Sequence, residues 1–137
     1  MQLHGTVVVE TVDSPALRGN PHGDPAQRRI PVYLPPSYSA AATRRYPTIY
    51  WLPGFTGTSL GALNYDPWLP SLPEAMDRAI AAGAPEAILV IVDGFTRFGG
   101  SQYLNSAANG RYEDYVVYDD VAHIDARYRT LPQPASR

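Results

Sequence analysis

Tyr46-Pro47-Thr48-Ile49-Tyr50-Trp51-Leu52, closed by Pro53-Gly54, is the stretch whose reading decides the fold. A strand with one wet face alternates apolar and polar residues, whereas a strand covered on both faces reads as a nearly continuous apolar run. The stretch is therefore read as a doubly covered, parallel strand with Tyr50 and Trp51 in the core. A second run of this kind, Ala87-Ile88-Leu89-Val90-Ile91-Val92, ends at Asp93-Gly94, the place where open α/β sheets present functional loops.

Working outward, Leu72, Ala75, Met76, Ala79 and Ile80 recur at helical spacing and predict a helix over 67–82 that stops at Gly83. Upstream, residues 3–12, with Thr6-Val7-Val8-Val9, and residues 29–34, stopped by Pro35-Pro36, read as strands. The turn formers in 17–25 make them an antiparallel pair with a wide connection. Downstream, a loop over 95–110 leads into a helix over 112–126, on which Val117, Val121, Ile124 and Tyr128 keep an apolar spacing. Glu113, Asp114, Asp119 and Asp120 are assigned to its solvated side, and Asp125 with Arg129, at i,i+4, to a local ion pair. An antiparallel pair followed by β-α-β-α predicts an α/β sheet with right-handed crossovers. The alternation halts after Thr130, where another strand is due, so residues 1–137 are expected to be one incomplete domain. An unpaired edge at 46–52 would be an aggregation hazard.

The 137 residues, 45% hydrophobic and 18% charged, suit one globular domain. A formal charge of -2 with no basic block argues against nucleic acid or an anionic membrane surface as partner. The lack of cysteine removes disulfides, thiolate nucleophiles and thiolate metal sites. His4, His22 and His123 lie far apart without ligand spacing, so no metal site is expected. The first residues have no basic and apolar leader pattern and the longest apolar run is too short to span a bilayer, which makes the expected setting cytoplasmic.

Six segments then resemble a known family in order along the chain: Gly19-Asn20-Pro21 with Gly23-Asp24-Pro25; Val32 to Tyr38; Arg45 to Gly57; Gly100 to Ser106; Gly110 to Asp114; and Ile124-Asp125 with Tyr128-Arg129-Thr130. Together they resemble the esterase branch of the α/β-hydrolases, which includes S-formylglutathione hydrolases, feruloyl esterases and mycolyl transferases. The resemblance implies a serine hydrolase of carboxylic esters or thioesters, needing no cofactor. In that family the G-x-S-x-G elbow, the acid and the histidine come after the Tyr128-Arg129-Thr130 segment, so the nucleophile-elbow half is expected to be missing. Such domains run to roughly 200–250 residues. What this half would supply is the oxyanion loop, whose backbone donors are worth on the order of 3 kcal/mol to the transition state. By resemblance the Phe55 amide is the donor, Gly54 permits the close turn and Gly57 lets the loop fold back. Pro53 stands where relatives often carry His or Ser. The plain alternative is a Pro-Gly turn without function. Ser101, Tyr103 and Asn105, on the loop after the fourth strand, and Trp68, with Tyr65 beside it, are the candidate substrate contacts; bonds internal to the loop are the other reading of the first three.

One G-x-S-x-G match is present, Gly57-Thr58-Ser59-Leu60-Gly61, with Asp93, Asp125 and His123 downstream. A nucleophile elbow wedges its serine between a strand end and a helix start, whereas this one lies in a loop well past Leu52 and His123 sits within a helix. Ser59 is therefore read as a loop residue. Two functions follow: the N-terminal portion of a serine esterase acting on a small-molecule ester once completed, or an esterase-like binding or interaction module using the aromatic residues around Tyr65, Trp68 and Tyr103.

Overall fold

Two strands, β1 (Thr6–Asp13) and β2 (Gln27–Leu34), pair antiparallel without interruption from Thr6 opposite Leu34 to Asp13 opposite Gln27. The computed structural model, which describes residues 2–137, adds β3 (Thr48–Trp51) and β4 (Ile88–Ile91) in the order β1-β2-β4-β3. Strand β4 runs antiparallel to β2 and parallel to β3, and all four of its residues are buried. The chain is thus an α/β structure with the antiparallel pair and parallel pair that the sequence predicts.

Strand β3 departs from its reading. It is the outer strand, and although Thr48 is buried and Tyr50 half-buried, Ile49 is exposed and Trp51 keeps 38% of its surface. The register explains this: Ile49 and Trp51 share a face with Leu89 and Ile91, and the helix on that face lies over β2 and β4 only. The outer edge of β3 begins a further parallel pairing, because Tyr46 N–H donates to Arg129 O at 2.9 Å and Leu131 N–H donates to Tyr46 O at 2.9 Å.

That helix, α1 (Leu72–Ala81), packs Leu72, Met76 and Ile80 against Tyr33, Leu89 and Ile91, as its spacing predicts. It starts later than the predicted position because Asp66 Oδ1 takes the amides of Trp68 and Leu69 in a turn. Ser71 then caps the helix, its backbone N–H bonded to the Glu74 carboxylate at 2.8 Å.

The second helical stretch covers the opposite face, against Ile30, Val32, Ile88 and Val90. It comprises α2 (Tyr112–Asp114), a π-helical segment (Tyr115–Asp120) and α3 (Val121–Arg127). Its buried residues are Tyr112, Tyr115, Asp120 and Ile124, with a step of five where the π segment widens the turn. That step overturns the regular apolar spacing. Val117 is 50% exposed and Asp120, expected on the wet side, is fully buried. Asp119 is also engaged, accepting from Ser14 Oγ and from the Ala16 amide. The expected Asp125–Arg129 pair does not form, because Asp125 accepts from Thr130 Oγ1 and pairs with Arg137. Arg129 instead lies over the Tyr38 ring, 3.9 Å from its centroid.

Candidate functional site

The C-terminal ends of β3 and β4 release two loops that meet. Pro53-Gly54 ends β3, and the chain turns so that Gly57 N–H donates to Gly54 O at 2.9 Å. Thr56, third in that turn, has φ 65°, the left-handed value a type II turn asks for. A side chain at Gly57 would put its Cβ 3.0 Å from Gly54 O and Pro53 Cβ, so glycine fits this turn without crowding it. The Gly54 and Phe55 amides have no acceptor among the described residues.

The second loop is stiffened from within. Thr96 Oγ1 donates to Gly100 O and accepts from the Phe98 and Gly100 amides. At its root the buried Arg28 donates to Phe95 O at 2.7 Å and Tyr112 Oη at 2.8 Å, with Asp93 Oδ2 at 3.6 Å. Sequence reading missed Arg28, although it lies in phase with Ile30 and Val32 along β2 and so on their covered face. The loops join at two bonds: Thr56 N–H to Gly99 O at 2.6 Å, and Tyr103 Oη–H to Pro53 O at 2.7 Å. Between them lies a cavity of about 210 Å³ lined by Pro53, Gly54, Phe55, Ser101, Gln102 and Tyr103. Burial, with the Asp93 charge behind it, pushes the Tyr103 phenol up to about 12, so it remains a donor across the ordinary pH range.

Of the residues singled out by sequence, Gly54, Phe55, Ser101 and Tyr103 come together at this cavity. Asn105 and Trp68 do not. Asn105 lies on a short hairpin, β5 (Asn105–Ser106) with β6 (Gly110–Arg111), and its side chain bonds both the carboxylate and the amide of Asp114. Trp68, 87% exposed, borders a separate depression of about 190 Å³ with Tyr65 and Leu69.

Ser59 is buried and donates to Arg29 O at 2.7 Å. His123 contacts Glu10 instead, with Nε2 at 3.1 Å, and Asp125 is engaged by Thr130, so no Ser-His-Asp constellation forms among the described residues. His4 bonds Asp77, and His22 sets its ring edge-on to Phe98. No group of three metal-ligating side chains assembles among the described residues, and no helix among them is long and apolar enough to cross a membrane.

A family model described as "Putative esterase" matches residues 25–135, which is most of the chain. The chain belongs to that esterase family. Among solved structures it is similar to a ferulic acid esterase, with TM-score 0.71 and 23% identity, covering 99% of this chain and 48% of that one. A ferulic acid esterase from Anaeromyces mucronatus gives TM-score 0.64 at 19% identity, covering 96% and 46%. The S-formylglutathione hydrolase of Agrobacterium tumefaciens gives 0.65 at 17%, covering 95% and 47%. These likenesses carry the α/β-hydrolase fold, and the chain spans about half the length of the structures it matches. No curated protein matches by sequence.

Proposed function

We propose that this chain forms the N-terminal portion of a serine hydrolase of carboxylic esters or thioesters, and that its contribution is the oxyanion loop and part of the substrate rim. The observation that carries this is the pair of free amides at Gly54 and Phe55, on a glycine turn beside a cavity at the C-terminal ends of two parallel strands. Backbone donors held at a site before any charge develops there cost no reorganisation when it does, and the clamped turn holds them so. The Phe55 amide is the principal donor, with Ser101 and Tyr103 on the rim. Nucleophile, base and acid lie outside the described residues in this reading, and Ser59, bonded to Arg29 O, is not the nucleophile.

The chain alone should not turn over p-nitrophenyl acetate above a denatured control, and a fluorophosphonate should leave Ser59 unlabelled. Turnover abolished by Ser59→Ala would overturn the reading. A second reading, a non-catalytic module, is favoured by one observation, the exposed Tyr65, Trp68 and Leu69 held on the Asp66 turn. Saturable binding of a ligand, lost on Trp68→Ala and untouched by changes at Phe55, would select it.

A further inference from the structure

We infer that Tyr103 is the positioning residue of the Pro53–Gly57 turn: its ring seats in the notch left by Gly94 and its hydroxyl holds the Pro53 carbonyl, fixing from the rim the direction of the Gly54 and Phe55 amides. The inference rests on the proposed role of those amides and assigns what aims them.

Four observations converge on it. First, Tyr103 Oη–H donates to Pro53 O at 2.7 Å across fifty residues of chain, at the peptide immediately before Gly54. Second, the ring lies where a side chain at position 94 would be. A Cβ on Gly94 would stand 2.3 Å from Tyr103 Cε1 and 2.7 Å from Cζ, so this glycine serves close approach, and its position after Asp93 at the end of β4 ties the ring to the sheet. Third, among the described residues three non-glycine residues have left-handed backbone, namely Thr56 at φ 65°, Gln102 at φ 57° and Tyr103 at φ 55°. All three lie on the two loops that meet at this cavity. An aromatic residue does not adopt that conformation unless its surroundings hold it there, and such outliers gather where backbone geometry serves a site. Fourth, a proline at position 53 contributes neither an N–H nor a polar side chain to brace the turn, leaving its carbonyl as the group available for bracing. Tyr103 takes that carbonyl, while Gly99 O takes the Thr56 amide on the other side. The turn is thus gripped before and after Gly54-Phe55, and those two amides are left open.

Backbone NMR of the full chain with Tyr103→Phe tests this, since the change removes one oxygen and leaves the ring. Exchange of the Thr56 and Gly57 amides should speed by about tenfold, the loss of roughly one hydrogen bond. The amides of β2 and β4 should keep their rates, which separates local release from general destabilisation. Gly94→Ala, which evicts the ring by another route, should reproduce the pattern. Unchanged exchange at Thr56 and Gly57 in both variants would overturn the inference, as would equal acceleration throughout the sheet. Titration with sodium acetate, read at the Phe55 amide, separates this inference from the function it rests on. If Tyr103→Phe frees the turn but wild-type Phe55 ignores acetate, the positioning role stands and the oxyanion role falls. If Phe55 responds equally in wild type and variant while exchange is unchanged, the oxyanion role stands and the positioning role falls.

Discussion

Each face of the sheet buries one helical aspartate, and the two are treated in opposite ways. On the α1 face, Asp77 accepts from the amides of His4 at 3.1 Å and Gly5 at 2.8 Å, from Tyr33 Oη–H at 2.8 Å, and contacts His4 Nδ1 at 2.9 Å. Burial would raise its carboxyl, but these bonds outweigh it and hold the group well below the usual carboxylate range. On the opposite face Asp120 lies fully buried on the π segment, beside the Tyr115 hydroxyl but with no well-formed hydrogen bond at either oxygen, and burial drives its carboxyl well above the ordinary value. The buried Tyr50 hydroxyl, also on that face, has no hydrogen-bond partner among the described residues. One face is closed by its polar groups; the other carries polar groups the present contacts leave unsatisfied.

The largest expected effect comes from breaking the satisfied side. Asp77→Ala strands two amides and a phenol in a buried place and should lower stability by about 3 kcal/mol at pH 7, read from urea unfolding. The pH dependence has a definite sign. Because the folded carboxyl sits below its unfolded value, the stabilisation is complete above about pH 4 and is lost as pH falls through the folded value. The gap between wild type and Asp77→Asn should therefore narrow in acid.

Asp120 should behave in reverse and more weakly. Its folded value is raised, so wild-type stability is intact below about pH 4 and declines as pH rises above it. Asp120→Asn should gain about 1 kcal/mol at pH 7 and nothing near pH 3. A loss comparable to that of Asp77→Ala would abolish the contrast. The smallest effect belongs to Trp51, on the α1 face yet beyond the helix's reach. Trp51→Thr should change stability by less than about 0.5 kcal/mol while reducing concentration-dependent light scattering, since it blunts an apolar sheet edge.

The elements whose signal is local were legible in the sequence. The β-branched run of β1, the continuous apolar β4 and the Leu72-Met76-Ile80 stripe all sit where their periodicity puts them. What failed depends on neighbours. An apolar run such as Thr48 to Trp51 does not say whether a helix will lie over its second face, and Ile49 and Trp51 stand outside α1's cover. The reading of 112–126 assumed a constant 3.6-residue turn, so a single wider turn exposed Val117 and buried Asp120. At the candidate site the Gly54-Phe55 turn and the Tyr103 loop could be found by resemblance, but their junction could not. The Tyr103 bond to Pro53 joins residues far apart in sequence through a glycine whose importance is the side chain it lacks. Asn105 and Trp68 have polar and aromatic chemistry suited to a rim, yet the hairpin bonds to Asp114 and the Asp66 turn fix them elsewhere.

The π segment also bears on how the chain can vary in length. Each residue of an ordinary helix turns the chain by about 100°, so a one-residue deletion usually swings everything beyond it to a new side. Here the buried series Tyr112, Tyr115, Asp120, Ile124 already contains one residue more than a regular helix would use. Losing the codon for Val117 would convert the five-residue step to four and leave the same side chains facing the sheet. The same loss in β2 would turn every following side chain to the opposite face. The loss of one codon is thus absorbed at one place in this molecule and ruinous at another.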